Sequence, residues 1–386
     1  MKILHFYKTY LPDTVGGIEQ VINQIARGSA RLGVETEILS LSPDRNERSF
    51  EVDGHPTHRV RLDFQIASTG FSASAFKRFS ALAKSADIIH YHFPWPFMDV
   101  VHFLTRVRKP TLVTYHSDII RQKHLLKFYR PLQQRFLASV DHIVATSPNY
   151  VATSPVLSRF PDKLSVIPIG LDKATYPHPS PERLAHWRAR CGDKFFLFVG
   201  VIRYYKGLHI LLEAAQGTNY PIVIVGAGPI ERELKAQAAR LKLQNVQFLG
   251  QVPEEDKVAL LELCHGVVFP SHLRSEAFGV TLLEGAMYGK PMISSEIGTG
   301  TSYINIHGET GLVVAPSDPA AFRKAMQSLW NDPGLAAAMG TRAERRYREM
   351  FTADRMAAAY VHLYGKLLAA QTERQPHPAT SFFPHR

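Results

Sequence analysis

Short apolar runs alternate with amphipathic stretches along most of the chain. The runs read as strands near 2–7, 34–41, 87–91, 110–115, 141–146 and 164–168. A second series lies near 195–200, 221–226, 246–249, 265–269, 291–295 and 311–314. Apolar runs without strict alternation suit parallel sheets covered on both faces, and the amphipathic segments between them supply the covering helices. Between the two series, residues 172–193 hold Pro177, Pro179 and Pro181 and no strand pattern, so a linker and a short helix are expected there. Two doubly wound α/β domains joined near Gly170 follow. Residues 335–370 read as helical with a break at Phe351-Thr352, and 371–386 as a frayed end.

A length of 386 residues fits two such domains, and 45% hydrophobic content fills their cores. Two cysteines, Cys191 and Cys264, build neither a disulfide framework nor a metal cluster, which makes a reducing compartment the default. The start, Ile3-Leu4-His5-Phe6-Tyr7, is too short and polar for a signal peptide's apolar region. No run of about 18 apolar residues occurs. A cytoplasmic location is expected, with contact at the inner face of the membrane left open. The net charge of +11 asks for an anionic partner, and the first 180 residues are the more basic, with 22 Lys and Arg against 15 Asp and Glu.

In open α/β sheets ligands bind beyond the carboxyl ends of the strands, so the residues just after strands carry the candidate chemistry. Gly16-Gly17 follow the first strand and permit close backbone approach to a phosphate or sugar; the plainer reading is a flexible turn. Arg203 and Lys206, after 195–200 and before a helix opened by Gly207, form a cation pair suited to a diphosphate, or two solvated surface charges. Glu276 and Glu284 flank Phe278-Gly279-Val280, where a helix is expected to begin. That arrangement offers carboxylates to sugar hydroxyls on either side of helix-start amides, or it is a capping group and a surface glutamate. His116 lies just past a strand, with Asp118 near enough to orient it or to cap the next helix.

Gly226-Ala227-Gly228 lacks the third glycine of a dinucleotide fingerprint, and no Gly-x4-Gly-Lys-Ser/Thr loop occurs. There is no Asp-x-Asp and no histidine spacing that signals zinc, so no metal is expected. In Arg121–Leu137, Leu125, Phe128, Tyr129, Leu132 and Phe136 share one helical face, with Pro131 set to kink or split the run. That face packs on the sheet, or else the basic side of the helix meets anionic lipid.

With Gly16-Gly17, His116, Arg203-x2-Lys206-Gly207 and Glu276-x7-Glu284 in this order, the chain resembles the family 4 glycosyltransferases of the GT-B fold. Val166-Ile167-Pro168-Ile169-Gly170-Leu171-Asp172 and Gly308-x2-Gly311-Leu312-Val313 add to the likeness, which covers nearly the whole chain. It implies two Rossmann-like domains facing a cleft: an acceptor domain at 1–170, a donor domain at 171–351, a helix at 352–370 crossing back to the first, and a tail at 371–386. It implies retaining, metal-independent transfer from a nucleotide-diphosphate sugar with no cofactor. Arg203 and Lys206 would bind the diphosphate, Glu284 the ribose, and Glu276 the transferred sugar with the backbone of Phe278, Gly279 and Val280. Gly16 and Gly17 would lie over the phosphates, His116 against the donor sugar, and Val252 beside the base.

Residues 201–207 and 296–301 resemble those of bacterial mannosyl- and rhamnosyltransferases of surface polysaccharide synthesis, which points to GDP-mannose as donor and a lipid-linked glycan as acceptor. The sequence departs from many members at Val201-Ile202, where Gly-Arg would follow the strand directly. Acceptor contacts are expected from loops at 43–75 and 93–99. A sugar-nucleotide epimerase or hydrolase and a non-catalytic donor-binding subunit share the scaffold. A nucleic-acid partner lacks any recognition motif.

Overall fold

A computed structural model describes residues 1–14, 16–44, 48–66, 69–119 and 123–374. Ten strands belong to the N-terminal part: β1 (Lys2–Phe6), β2 (Glu35–Ser42), β3 (Arg48–Val52), β4 (His55–Arg61), β5 (Phe64–Ile66), β6 (Thr69–Phe71), β7 (Ile88–Phe93), β8 (Thr111–Tyr115), β9 (His142–Ala145) and β10 (Leu164–Val166). Eight form one sheet in the order β10-β9-β8-β7-β1-β2-β4-β3, and β5 pairs with β6 alone. The second part adds β11 (Phe196–Val199), β12 (Ile222–Val225), β13 (Val246–Gly250), β14 (Gly266–Phe269), β15 (Met292–Ser295) and β16 (Gly311–Val314), ordered β13-β12-β11-β14-β15-β16.

Among the described residues every pairing in the second sheet is parallel, and in the first only β3–β4 is antiparallel. The central strands β7, β8, β11, β12 and β14 are buried at every position, because helices cover both faces. Strand order reverses beside β1 in the first sheet and beside β11 in the second. The crevices that open there are where an α/β sheet receives a ligand.

Residues 43–75 and 93–99 are not simply loops. The first span contains β3 to β6, and the second runs into the helix Pro96–Leu104. The hairpin escaped notice because Arg48–Val52 and His55–Arg61 form a sheet edge rich in charged and polar side chains, without an apolar run. Residues Lys123–Ser139 form a single helix with Pro131 inside it, neither broken nor split. Phe136 is buried and Tyr129 packs on the core, but Phe128 is 86% exposed and does not belong to the expected apolar face. Arg121 lies outside the described residues.

The helix Ala353–Arg374 returns to the first sheet. It extends past the expected limit at 370, and the rest of the expected tail, 375–386, lies outside the described residues. Ala353, Met356, Ala357, Tyr360 and Tyr364 are buried at helical spacing. They pack against the helix Gly17–Ala30, where Gly28 permits the approach: a Cβ there would stand 2.5 Å from Ala357 Cβ. Burial of each tyrosine contributes on the order of 1.5–3 kcal/mol. One apolar cluster thus runs from Ile3 and Ile88 through Tyr360 to Phe195 and Leu282, tying the two sheets together. Where the chain leaves the first sheet, Leu171 pairs with Thr352, its N–H donating to Phe351 O at 2.9 Å and its carbonyl accepting from Ala353 N at 3.0 Å.

Candidate functional site

β11 ends in Val199-Gly200, and the chain then makes a short 3-10 turn at Tyr204–Lys206 before the helix Leu208–Ala215. Gly207 joins the two at φ +71°, and a Cβ there would fall 1.9 Å from Pro270 O, so only glycine lets this loop seat against the chain leaving β14. The turn points Lys206 inward. Its ammonium meets the Glu276 carboxylate at 2.5 Å and lies over the Phe269 ring. Burial works against that charge, but Glu276, with Tyr205 and Glu284, outweighs it and holds the Lys206 pKa above its ordinary value.

Glu276 precedes Gly279, whose φ of +96° starts the helix Val280–Met287. Thr281 Oγ1 donates to Val199 O at 3.1 Å and pins the start of this helix to the end of β11. Glu284 sits one turn in, buried, where Tyr176 Oη donates to it at 3.1 Å and Lys257 Nζ at 2.7 Å. Lys257, on the helix Glu254–Leu263, also meets Glu254. Burial opposes its charge, yet the two glutamates hold its pKa up.

The opposite wall comes from the first sheet. Gly16 and Gly17 begin their helix against Val280, whose Cγ2 stands 3.8 Å from where a Cβ of Gly17 would be. Glu19 accepts from Thr9 Oγ1 at 2.7 Å and Thr14 Oγ1 at 3.3 Å, which closes the loop after β1. Lys8 is half-buried. Burial lowers its pKa, with Glu19 opposing and Arg203 of the other half adding to the drop. His116, just past β8, has its Nε2 3.0 Å from Nδ1 of His92, and burial alone pushes its pKa down to about 3.

Asp118 does not orient His116. Its carboxylate accepts from Tyr115 Oη and Ser154 Oγ, each at 2.8 Å, and from Arg274 of the second half at 3.4 Å. Arg274 also donates to Thr153 Oγ1 at 2.6 Å. These bonds close one side of the crevice.

Together the walls enclose about 460 Å³. Of the residues singled out by sequence, Gly16, Gly17, His116, Lys206, Glu276, Phe278, Gly279, Val280 and Glu284 line this cavity. Arg203 and Val252 do not: Arg203 is exposed at the rim, and Val252 packs partly buried on the apolar cluster. Ile202 is fully buried, its N–H bonded to Ala227 O, so the chain turns inward at Ile202 alone, between the exposed Val201 and Arg203. Sequence reasoning missed Lys257, Gln20 and Ser117 on the lining, and Tyr176 and Lys8 beside it. A larger hollow of about 570 Å³ lies at the amino ends of β12 and β13. It has none of these paired charges and sits at the wrong end of the strands for an α/β site.

A cavity with two buried lysine–glutamate pairs at a helix start can hold a polyanion and hydroxyl groups at once. Residues 182–346 match the family model described as glycosyl transferases group 1, and residues 15–175 match that of glycosyltransferase family 4. The chain is 66% identical over 353 residues to the D-rhamnosyltransferase WbpZ of Pseudomonas aeruginosa, covering 92% of this chain and 93% of that one. It is 53% identical over 372 residues to the O-antigen chain mannosyltransferase C of Escherichia coli, covering 96% and 100%. Among solved structures, sucrose-phosphate synthase from Thermosynechococcus elongatus superimposes with a TM-score of 0.78 at 22% identity, over 96% of this chain and 99% of that one. Two sheets facing one crevice and relatives this similar end to end have one reading: the chain belongs to the family 4 glycosyltransferases and has the GT-B fold.

Proposed function

We propose that the protein transfers a hexose, with retention and without a metal, from a GDP-sugar to a hydroxyl of a lipid-linked glycan in bacterial surface polysaccharide synthesis. GDP-mannose is the donor assigned first. The observation that carries this reading is the buried Lys206 ammonium beside the N-terminus of the helix Val280–Met287, inside a cavity walled by both halves. As the sugar–phosphate bond loosens, negative charge grows on the diphosphate. Lys206 and the amides of Gly279 and Val280 stabilise it more in the transition state than in the ground state, with Arg203 reaching in from the rim. Glu284 and Lys257 take the ribose hydroxyls, and Glu276 and His116 the transferred sugar. The leaving phosphate accepts the acceptor's proton on the face it departs from.

A second reading, transfer of D-rhamnose, is favoured by the higher identity to the D-rhamnosyltransferase. Rhamnose is mannose without its 6-hydroxyl, so a site that bonds this hydroxyl discriminates the two strongly and one that does not discriminates little. A thermal-shift panel of GDP-mannose, GDP-rhamnose, UDP-glucose and ADP-glucose tests both. At a hundred times its dissociation constant the true donor adds about 2.7 kcal/mol to stability. Stabilisation by the UDP-sugar alone refutes the GDP assignment. Release of free sugar, or an altered nucleotide sugar with no acceptor glycosylated, refutes transfer.

No helix among the described residues is long and apolar enough to cross a membrane. The exposed Phe128, with Lys127 and Arg130 exposed beside it, supports a peripheral attachment to an anionic surface.

A further inference from the structure

His116 is the outer end of a line of imidazoles that crosses three neighbouring strands. His5 on β1 has its Nδ1 2.9 Å from Nε2 of His92 on β7, and His92 Nδ1 is 3.0 Å from Nε2 of His116 beyond β8. The rings stack along the line, with centroids 5.2 and 5.3 Å apart. His90, two residues before His92 and on the same face of β7, packs against both inner rings. Its own nitrogens are taken by Tyr364 Oη at 2.8 Å and Thr114 Oγ1 at 2.7 Å, and Thr114 in turn meets Tyr360 Oη at 2.9 Å. The last helix therefore seals the cluster from outside.

His5, His90 and His92 bring their ligand atoms within 4.8 Å of one another, which sequence spacing did not signal. Five of their six ring nitrogens already have hydrogen-bond partners, so a cation held there would have to break this network. Burial pushes His5 and His116 down to about pKa 3 and holds His90 and His92 well below their ordinary value, so every ring is neutral at physiological pH.

A line of neutral imidazoles carries one proton per ring, and all its N–H bonds must point the same way. If they point inward, the last proton sits on Nε2 of His5. That atom is buried and has no partner among the described residues. If they point outward, His5 Nε2 keeps only a bare lone pair, and the last proton sits on Nδ1 of His116. An orphaned buried N–H is the rarer arrangement, so the outward direction is favoured.

We propose that His5 and His92 are positioning residues that lock His116 as its Nδ1–H tautomer, so that this ring offers the cavity a hydrogen-bond donor. That the donor serves a sugar hydroxyl rests on the glycosyl-transfer reading; the tautomer itself does not. The bonds to Tyr364 and, through Thr114, to Tyr360 make the last helix part of the support.

Nitrogen-15 NMR of the histidine-labelled full chain, without substrate and at neutral pH, reads the tautomer directly, with His116 assigned by its loss in His116→Gln. A protonated Nδ1 and bare Nε2 are expected. A protonated Nε2, or an imidazolium, overturns the proposal whatever the enzyme's substrate proves to be. Two near-isosteric variants add a functional arm. His92→Asn can still donate to His116 Nε2, whereas His92→Asp, read above the pH at which its carboxyl ionises, can only accept and puts the proton on that nitrogen. The aspartate variant is expected to lose roughly three- to tenfold in kcat/KM, the worth of one hydrogen bond, and the asparagine variant less. Equal activities with an unflipped ring in His92→Asp overturn the proposal. If that variant does not fold, the wild-type spectrum decides alone.

Discussion

Replacing Lys206 by alanine removes two things at once, and the structure separates them. Lys206 is the charge partner of Glu276, which is only 9% exposed. Breaking a buried pair from one side costs about 3–5 kcal/mol, and the low end applies because the cavity admits water to the stranded carboxylate. For a domain of this size about 3 kcal/mol lowers Tm by roughly 6–12 °C. The catalytic loss is separate: if Lys206 stabilises a developing diphosphate charge as proposed, its removal reduces turnover by roughly 10²–10³-fold. The Lys206→Ala/Glu276→Gln double variant takes away the stranded charge without restoring the ammonium. It is expected to recover most of the Tm of Lys206→Ala while turnover stays low. The assay is initial-rate transfer from whichever nucleotide sugar the thermal-shift panel selects, at saturating donor, with folding followed by circular dichroism. Near-normal turnover in folded Lys206→Ala removes the residue from the chemistry, and recovery of turnover in the double variant shows that Glu276, not the diphosphate, was its real client.

Acid should destabilise the protein early. His5 and His116 bind protons near pH 3 when folded and near pH 6.5 when unfolded, so between those values the unfolded chain takes up more protons and stability falls as pH drops. At pH 5 each contributes about 2 kcal/mol of loss if it titrates independently; a Tm unchanged between pH 7 and pH 5 refutes the buried neutral cluster. Gly207→Ala places a side chain at a positive φ and onto Pro270 O, costing more than about 1–3 kcal/mol and moving Lys206, so both chemical denaturation and donor binding should weaken. Wild-type values for both would show that the loop has room. Gly28→Val wedges the last helix away from Ala357, for a loss of about 1–3 kcal/mol in urea titration. An unchanged midpoint would mean that the helix packing is looser than described.

Much of the site was readable because a parallel α/β chain places its chemistry just after its strands. Lys206 and Glu276 each come seven residues after a strand ends, Glu284 lies in the helix that follows Glu276, and the helices after these loops begin where glycine allows. Lys257 and Tyr176 gave no such signal. They reach Glu284 from a helix and a linker that come near it only once the domain is folded. The role imagined for Asp118 failed for a related reason. Its neighbour in sequence was a weaker guide than Tyr115, Ser154 and Arg274, which surround it in space. The histidine line had a faint trace in His90-x-His92, two alternate positions of one strand, but nothing local joins these to His5 or His116. Arg48–Val52 was invisible because an exposed edge strand needs no apolar run.

The pairing of Leu171 with Thr352 has a mechanical consequence. The chain passes between the halves twice, and both passages lie side by side, bonded to each other, with Gly170 too close to Thr352 O for any side chain. Two tethers fixed along one line act as a door's pivot: they permit swinging and resist sliding. A swing about that line would part Gly17 from Val280 while the Lys206–Glu276 and Lys257–Glu284 pairs, each inside one half, stay in register.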